Sequence, residues 1–416
     1  MKNTLTVVDR FLTYVQMDTQ SDPTSTTFPS TKKQLQLGNL LVKQLLELGI
    51  GDAHLDEYGY VYATLPSNTS KDVPVICFCS HMDTSPDCSG RDVKPIIHKK
   101  YNGEDIVLPQ DTSQVLRLSE HQPLKKQIGN DLITADGTTL LGADNKAGIA
   151  EIMSALQYLV DNPQVKHGTI KVLFTPDEEI GKGADNVNIK KLGAEFAYTV
   201  DGEEVGQIEN ETFSADAVTV NIEGVGVHPG FAKNKMVNAL KVAADIISSL
   251  PTDSLSPETT SKKEGFVHPI DVKGSVETAQ IDFIIRSFND DDLKNLARVI
   301  KDNCEAVAKK FPKAKIEVKV TEQYRNMKKV LDNCEHVVKF ALEATKRAGV
   351  KPSLNSIRGG TDGSRLSFMG LPCPNIFTGG HLFHSKLEWI SVQDMHTVVT
   401  TLVNLCVIWE EKSDDL

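Results

Sequence analysis

The sequence predicts an α/β protein interrupted by a second, smaller α+β domain, and three observations predict it. Apolar runs at Val75 to Cys79, Val172 to Phe174 and Phe196 to Val200 each give way to ionisable residues: Ser80-His81-Met82-Asp83-Thr84, Asp177-Glu178-Glu179 and Asp201-Gly202. Strands that deliver polar groups to one edge of an open sheet mark its ligand crevice. From about residue 208 the pattern changes to β-α-β-β-α-β, the split βαβ arrangement, and helical and strand patterns resume after about residue 320. The expected domains are therefore 1–207 and 321–416 for the outer fold and 208–320 for the insertion; 416 residues exceed what one core usually serves.

Taken in order, the chain opens with Met1-Lys2-Asn3-Thr4 and enters an amphipathic helix (Val7, Val8, Phe11, Leu12, Val15) that holds Asp9 and Arg10. That pattern is neither a signal peptide nor a membrane span. Lys32 to Leu48 repeats leucine at helical spacing, with Thr31 and Gln34 at capping-box separation. Tyr58 to Leu65 and Val73 to Cys79 read as strands, Cys77 and Cys79 being buried strand residues rather than metal ligands. Ser85 to Thr134 loses periodicity over a length that is often functional, with an elaborate surface hairpin as the alternative. Leu140-Leu141-Gly142-Ala143 leads to Asp144 at a strand-to-helix corner, followed by an apolar helical face through Leu159. In the insertion, Phe213 to Glu223, Phe266 to Lys273, Val276 to Phe288 and Lys315 to Thr321 are strands, and Met236 to Leu250 and Asp291 to Phe311 are helices. Val337 to Ala344 and Met395 to Trp409 return to the outer domain.

Composition narrows the function classes. A formal net charge of -11 repels polyanions, which argues against nucleic acid as a partner. Seven cysteines at irregular spacing form no disulfide framework, and a reducing, cytoplasmic setting is expected.

The strand-end residues point to hydrolysis. His, Asp and Glu at these positions are what a zinc site needs, and adjacent Glu178 and Glu179 offer one free base and one ligand. Two co-catalytic metals would need a carboxylate between them and an unligated base to take the proton of water. Alone, Asp144 would be a helix cap; its company makes it a ligand candidate.

Several segments carry a resemblance: Ser80-His81-Met82-Asp83-Thr84-Ser85-Pro86-Asp87, Leu141-Gly142-Ala143-Asp144-Asn145-Lys146, Thr175-Pro176-Asp177-Glu178-Glu179, Val200-Asp201-Gly202, Val227-His228-Pro229-Gly230, Arg358-Gly359-Gly360-Thr361-Asp362-Gly363, and Thr378-Gly379-Gly380 with His384 beyond. Together they resemble the co-catalytic two-zinc family of aminopeptidases, dipeptidases, carboxypeptidases and aminoacylases, and within it the tripeptide aminopeptidases. The resemblance spans nearly the whole chain. It implies a zinc-exopeptidase-like fold with a central mixed sheet, and an inserted ferredoxin-like domain that serves as lid and pairs two copies as a homodimer.

It further implies two Zn2+ per chain, one held by His81 and Asp201, the other by Glu179 and His384, with Asp144 bridging. Glu178 would be the general base, and Asp83 would stand behind His81 to fix its tautomer. His228 would help stabilise the oxyanion, Arg286 would bind the substrate carboxylate, and Arg358 with Gly359 would approach the peptide backbone. Asn145 and Ser287 stand where the family pattern has aspartate, which implies tuning rather than loss. His381 competes with His384 for the ligand role, and Phe383-His384-Ser385-Lys386 fits the pattern better. The expected activity is release of the amino-terminal residue from short peptides, most of all tripeptides. The alternatives are a dipeptidase or N-acyl amino acid hydrolase of the same fold, and a catalytically silent binding protein.

Overall fold

A computed structural model describes residues 5 to 415; Met1-Lys2-Asn3-Thr4 and Leu416 lie outside the described residues. The chain divides into two compact units, Met1–Asn210 with Met327–Asn355 and Thr361–Leu416, and Glu211–Asn326 with Ser356–Gly360.

The first unit is built on an eight-stranded mixed sheet in the order His54–Leu55, Val61–Leu65, Ile170–Thr175, Ile76–His81, Phe196–Gly202, Asn375–Phe377, Gln207–Thr212 and Ser353–Ile357. Its four middle strands from Ile170–Thr175 to Asn375–Phe377 run parallel. Such strands are covered on both faces, so their sequences are continuously apolar. Alternation along Ile76–His81 sends Ile76 and Phe78 into the larger core and Cys77 and Cys79 into the smaller core opposite. Burial pushes both thiols up, which keeps them protonated and inert. All seven cysteines are free.

Helices Val7–Val15, Ala143–Asp161 and Val392–Glu411 pack together on the larger core, and Glu335–Arg347 packs on the last of them. The first is closed by a capping box between Thr6 and Asp9. The capping box expected at Thr31 and Gln34 does not form, and helix Gln34–Glu47 has no side-chain cap. Gln34 instead donates to the buried Asp177 carboxylate at 2.7 Å and to the Thr31 hydroxyl at 3.2 Å, while its side-chain carbonyl accepts from Asp177 N at 3.1 Å rather than from Thr31 N. Leu140 and Leu141 lie in a loop, not a strand, so Asp144 sits at a loop-to-helix corner. The stretch 85–134 is not structureless: Ile96–His98 and Leu132–Thr134 join Gly380–His381 and Trp389–Ser391 in a separate four-stranded sheet. Among the described residues, no helix is long and apolar enough to cross a membrane.

The second unit follows the β-α-β-β-α-β order, with antiparallel strands arranged Phe266–Gly274, Thr278–Ser287, Ser214–Glu223 and Lys315–Tyr324. Alternate residues Val218, Val220, Ile222, Ile281, Phe283 and Ile285 form its core with helices Ala239–Ser248 and Asp290–Lys310. The second helix starts with Asp290, Asp291 and Asp292 and ends with Lys309 and Lys310, charges that complement its dipole.

Two buried features of the first unit give measurable consequences. The Trp409 indole donates to the Tyr198 hydroxyl at 2.9 Å, Tyr198 donates to the Val337 carbonyl at 2.9 Å, and Phe196 and Phe340 pack on the indole at 5.1 Å. Trp409→Ala is expected to lower the unfolding free energy by about 3–5 kcal/mol, and Tyr198→Phe, which orphans both partners, by about 1–3 kcal/mol. Urea titration checks this, and losses near zero for both would place the cluster outside the cooperative core. Glu151 is fully buried on helix Ala143–Asp161, neither carboxylate oxygen has a partner, and burial raises its pKa well above the usual range. The folded state therefore keeps a proton that the unfolded chain releases above about pH 4.3, and stability falls as pH rises beyond that value. Glu151→Gln should match the wild type near that pH and gain on it progressively at higher pH; a difference flat with pH would contradict this account.

Candidate metal centre

The three parallel strands Ile170–Thr175, Ile76–His81 and Phe196–Gly202 are neighbours, so their carboxyl ends deliver side chains to one place. His81 is the last residue of its strand, and Asp201 is the next to last of the adjoining one. Glu178 and Glu179 follow the third strand in a short 3-10 turn, entered through Asp177 at φ 60. That left-handed residue is held by its own carboxylate, which accepts from the Ser30 backbone at 2.6 Å, the Ser30 hydroxyl at 2.5 Å and Gln34 at 2.7 Å. Asp177 thus shapes the turn while its two neighbours face the site.

Asp144 joins the cluster from the start of helix Ala143–Asp161. Its Oδ1 lies 2.9 Å from His81 Nε2, and its Oδ2 lies 3.1 Å from His384 Nε2. Asp201 Oδ1 is 3.4 Å from the same nitrogen of His81, and Glu179 Oε2 is 2.8 Å from that of His384. Two groups of candidate ligands result, His81 with Asp144 and Asp201, and His384 with Asp144 and Glu179, each with its ligand atoms within 4.8 Å of one another. Glu178 belongs to neither group, its Oε2 being 3.9 Å from His81 Nε2.

The electrostatics show what this arrangement requires. Burial alone would lower the pKa of both imidazoles, but the carboxylates facing them prevail: His81 is raised well above its ordinary value, and His384 is raised to about 11. Burial would raise Asp144, yet hydrogen bonds from His384 and His81 hold it below the usual range. Burial raises Glu179 to about 8 and Asp201 to about 6, and it raises Glu178 well above its ordinary value. No Lys or Arg ion-pairs with these four carboxylates among the described residues. Buried Glu179 Oε1 also has no partner. A surplus of buried oxygen ligands around two imidazoles, with an unused lone pair, fits divalent cations.

The supporting residues differ in part from expectation. Asp83 lies behind His81, but its backbone carbonyl, at 3.0 Å, is closer to His81 Nδ1 than its carboxylate, at 3.4 Å. That carboxylate accepts from the backbone N–H groups of Glu178 and Glu179 at 3.0 and 3.2 Å, so Asp83 orients the turn that carries both glutamates as well as the imidazole. His381 does not join the cluster: it is buried and stacked on Trp389 at 4.2 Å, and burial lowers its pKa to about 4. Asn145 is buried with neither amide atom partnered.

Two functional supports escaped the reading of the sequence. Glu388, buried, accepts from the backbone N–H groups of Leu141, Gly142 and Asp144 at 2.7, 2.8 and 3.0 Å and fixes the corner that carries Asp144. Asp362, raised to about 7 by burial, accepts at 2.6 Å from Thr175, the last residue of the strand that leads into the Glu178 turn. Asp362 lies inside a recognised glycine-rich motif, whereas Glu388 has no signal in the sequence at all.

The remaining candidates belong to the second unit. His228 is exposed and caps a short turn by accepting from Gly230 N at 3.1 Å, five residues past the end of strand Ser214–Glu223. Arg286 donates to the Ile285 carbonyl at 3.0 Å and lies over the Tyr324 ring at 5.5 Å. Arg358 gives its guanidinium to the carbonyls of Lys262 and Glu264 and to Thr260, and packs on Phe213 at 5.1 Å. It therefore anchors the loop rather than offering free donors to a peptide. A Cβ on Gly359 would meet nothing closer than 3.8 Å, which leaves that backbone approachable.

Residues 107–407 match Peptidase family M20/M25/M40. A relative described as Peptidase T from Alkaliphilus oremlandii is 49% identical over 413 residues, 99% of this chain and 100% of that one. The structure is similar to the crystal structure of an aminopeptidase from Bacillus cereus, with 25% identity, a TM-score of 0.74, and 97% of this chain and 98% of that one covered. A Bacillus subtilis structure described as a dinuclear metal binding peptidase shares the fold, at 16% identity and a TM-score of 0.64 over 97% of each chain. With ligand groups at the strand ends and these matches over most of its length, the chain belongs to peptidase family M20/M25/M40.

Proposed function

We propose that the protein is an aminopeptidase that releases the amino-terminal residue from short peptides, above all tripeptides. The observation that carries this reading is Asp144, shared between two His-carboxylate groups with Glu178 left outside both, in a chain 49% identical to a Peptidase T. His81 and Asp201 would hold one metal ion, Glu179 and His384 the other, and Asp144 both; the nitrogen and oxygen donors suit zinc. Bound there, the ions supply Lewis-acid polarisation of the scissile carbonyl and lower the pKa of the attacking water. Glu178 takes the proton of that water and passes it to the leaving amine. Asp83 holds the Glu178 turn by two backbone hydrogen bonds, so that the base stays aimed while its charge changes.

For the second unit we retain the roles the resemblance implies, His228 at the oxyanion, Arg286 at the peptide carboxylate and Gly359 along the backbone, with Arg358 bracing that loop. A homodimer is part of the reading: Phe266–Gly274 is an edge strand with Ile270 and Val272 exposed, a surface that calls for a partner. The free cysteines accord with the cytoplasm.

The test is a di-, tri- and tetrapeptide series sharing one amino-terminal residue, assayed with zinc-loaded protein for the end released. Rapid release of the first residue from the tripeptide is expected; cleavage only of N-acyl amino acids would replace this reading with the acylase one. Glu178→Ala is expected to keep both metals and lose about 10²–10⁴-fold in kcat, with metal content measured on the same sample; retained turnover would remove Glu178 from the role of base. Asp83→Asn should weaken metal binding by about 10–100-fold and lower kcat as well. An unchanged metal titration would show that the Asp83 carboxylate does not support the ligands.

A further inference from the structure

Beside the metal centre lies a pocket of about 420 Å³, lined by His121, Pro123, Glu203, Leu382, Phe383 and Trp389 and reaching Asp144 and His384. Its size suits one small ligand group. Pro123, Leu382, Phe383 and Trp389 give it apolar walls. Glu203 supplies the one carboxylate in this lining besides Asp144, and it has no ion pair or hydrogen bond to its side chain among the described residues. Its neighbour Glu204, by contrast, is paired with Lys126 and accepts from Gln207 at 3.1 Å. Asp144 is engaged with both imidazoles, so Glu203 is the carboxylate left to meet a cation from outside.

We propose that this pocket seats the amino-terminal residue of the peptide, with its α-ammonium on Glu203 and its side chain against Pro123, Leu382, Phe383 and Trp389. The inference rests on the aminopeptidase reading and adds to it the group that recognises a free amino terminus. The chemistry dictates the placement. In an aminopeptidase substrate the ammonium is one carbon away from the scissile carbonyl, so whatever binds it must lie within one residue of the metal ligands, as this pocket does through Asp144 and His384. An ammonium in a partly apolar pocket needs a carboxylate that is not already neutralised. A peptide lacking that ammonium would leave Glu203 desolvated and unpaired, which turns the residue into a filter as well as an anchor.

The test uses full-length, metal-loaded protein in a Glu178→Gln background, with calorimetric titration of Leu-Gly-Gly and of its des-amino analogue, 4-methylpentanoyl-Gly-Gly. The free-amine peptide is expected to bind about tenfold or more tightly than the analogue. Adding Glu203→Gln should abolish that preference, weakening Leu-Gly-Gly and, with no desolvated carboxylate left to oppose it, leaving the analogue bound as tightly or more tightly. In a second variant, Leu382→Trp, Leu-Gly-Gly should lose more affinity than Gly-Gly-Gly, because the added volume meets only the larger side chain. A preference that persists in Glu203→Gln overturns the pocket assignment alone, since peptide binding would still be present. Failure of both Leu-Gly-Gly and its analogue to bind, together with no tripeptide cleavage by the wild type, overturns the aminopeptidase reading and the pocket with it.

Discussion

Asp144 gives one oxygen to each of two imidazoles, and the arrangement of the first unit around the site depends on keeping that short side chain in place. An aspartate has one methylene, so the backbone itself must be brought to the centre. Gly142 makes the approach possible: it adopts φ 85, a conformation costly for any other residue, and a Cβ there would touch Thr84 at 3.4 Å. Glu388 then gathers three backbone N–H groups of the same loop onto one carboxylate. Even with those donors, burial raises Glu388 to about 7. A buried acid in that position is unfavourable for stability alone, and it is compensated by the precision it gives the shared ligand.

The same reasoning explains the distribution of charge. Carboxylates about 4 Å apart repel by roughly 4 kcal/mol at an effective dielectric of about 20. Asp144, Glu178, Glu179 and Asp201 converge with two histidines as their cationic partners, and no lysine or arginine ion-pairs with them among the described residues. Elsewhere in the same unit the chain pairs its acids in the ordinary way, as Asp131 with Lys99 at 2.7 Å. The buried acids at the strand ends are left without such pairing, among the described residues. This is the electrostatic counterpart of the donor geometry, since carboxylates left unneutralised by lysine or arginine are what a divalent cation would require.

What could be read from the sequence follows the same physical divide. His81, Glu178, Glu179 and Asp201 were legible because each stands where an apolar strand stops, and a long buried strand leaves a strong signal. Asp144 was legible from its company, although the segment before it is a loop and not the expected strand. The β-α-β-β-α-β order of the second unit was legible from alternation over strands of nine or ten residues. Local rules failed where a long-range polar contact took their place: the Gln34 side-chain carbonyl accepts from Asp177 N, 143 residues away, rather than from Thr31 N. Glu388 could not be found because its partners are backbone N–H groups, which every sequence has. Arg358 was recognised in its motif, but its donors serve carbonyls around residues 260–264, a use that depends on loop geometry alone.

The eight-stranded and four-stranded sheets of the first unit together border the pocket beside the candidate metal centre. Strand Phe196–Gly202 sends Asp201 to the candidate metal centre, and Glu203 lies in the bend that directly follows the strand and lines the pocket. Ligand and ammonium acceptor are thus set by one strand end, with no independent element to align them. The opposite wall comes from the aperiodic 85–134 stretch through His121 and Pro123, and from the Leu382-Phe383 turn that also delivers His384. His381 braces this wall by stacking on Trp389, and burial keeps its ring neutral, so it adds no positive charge to compete with a substrate ammonium. The loop that supplies the candidate ligand His384 is therefore also the one that shapes the pocket. Leu382 and Phe383 thus line the pocket from the two positions before His384, so pocket wall and candidate ligand are carried by a single turn.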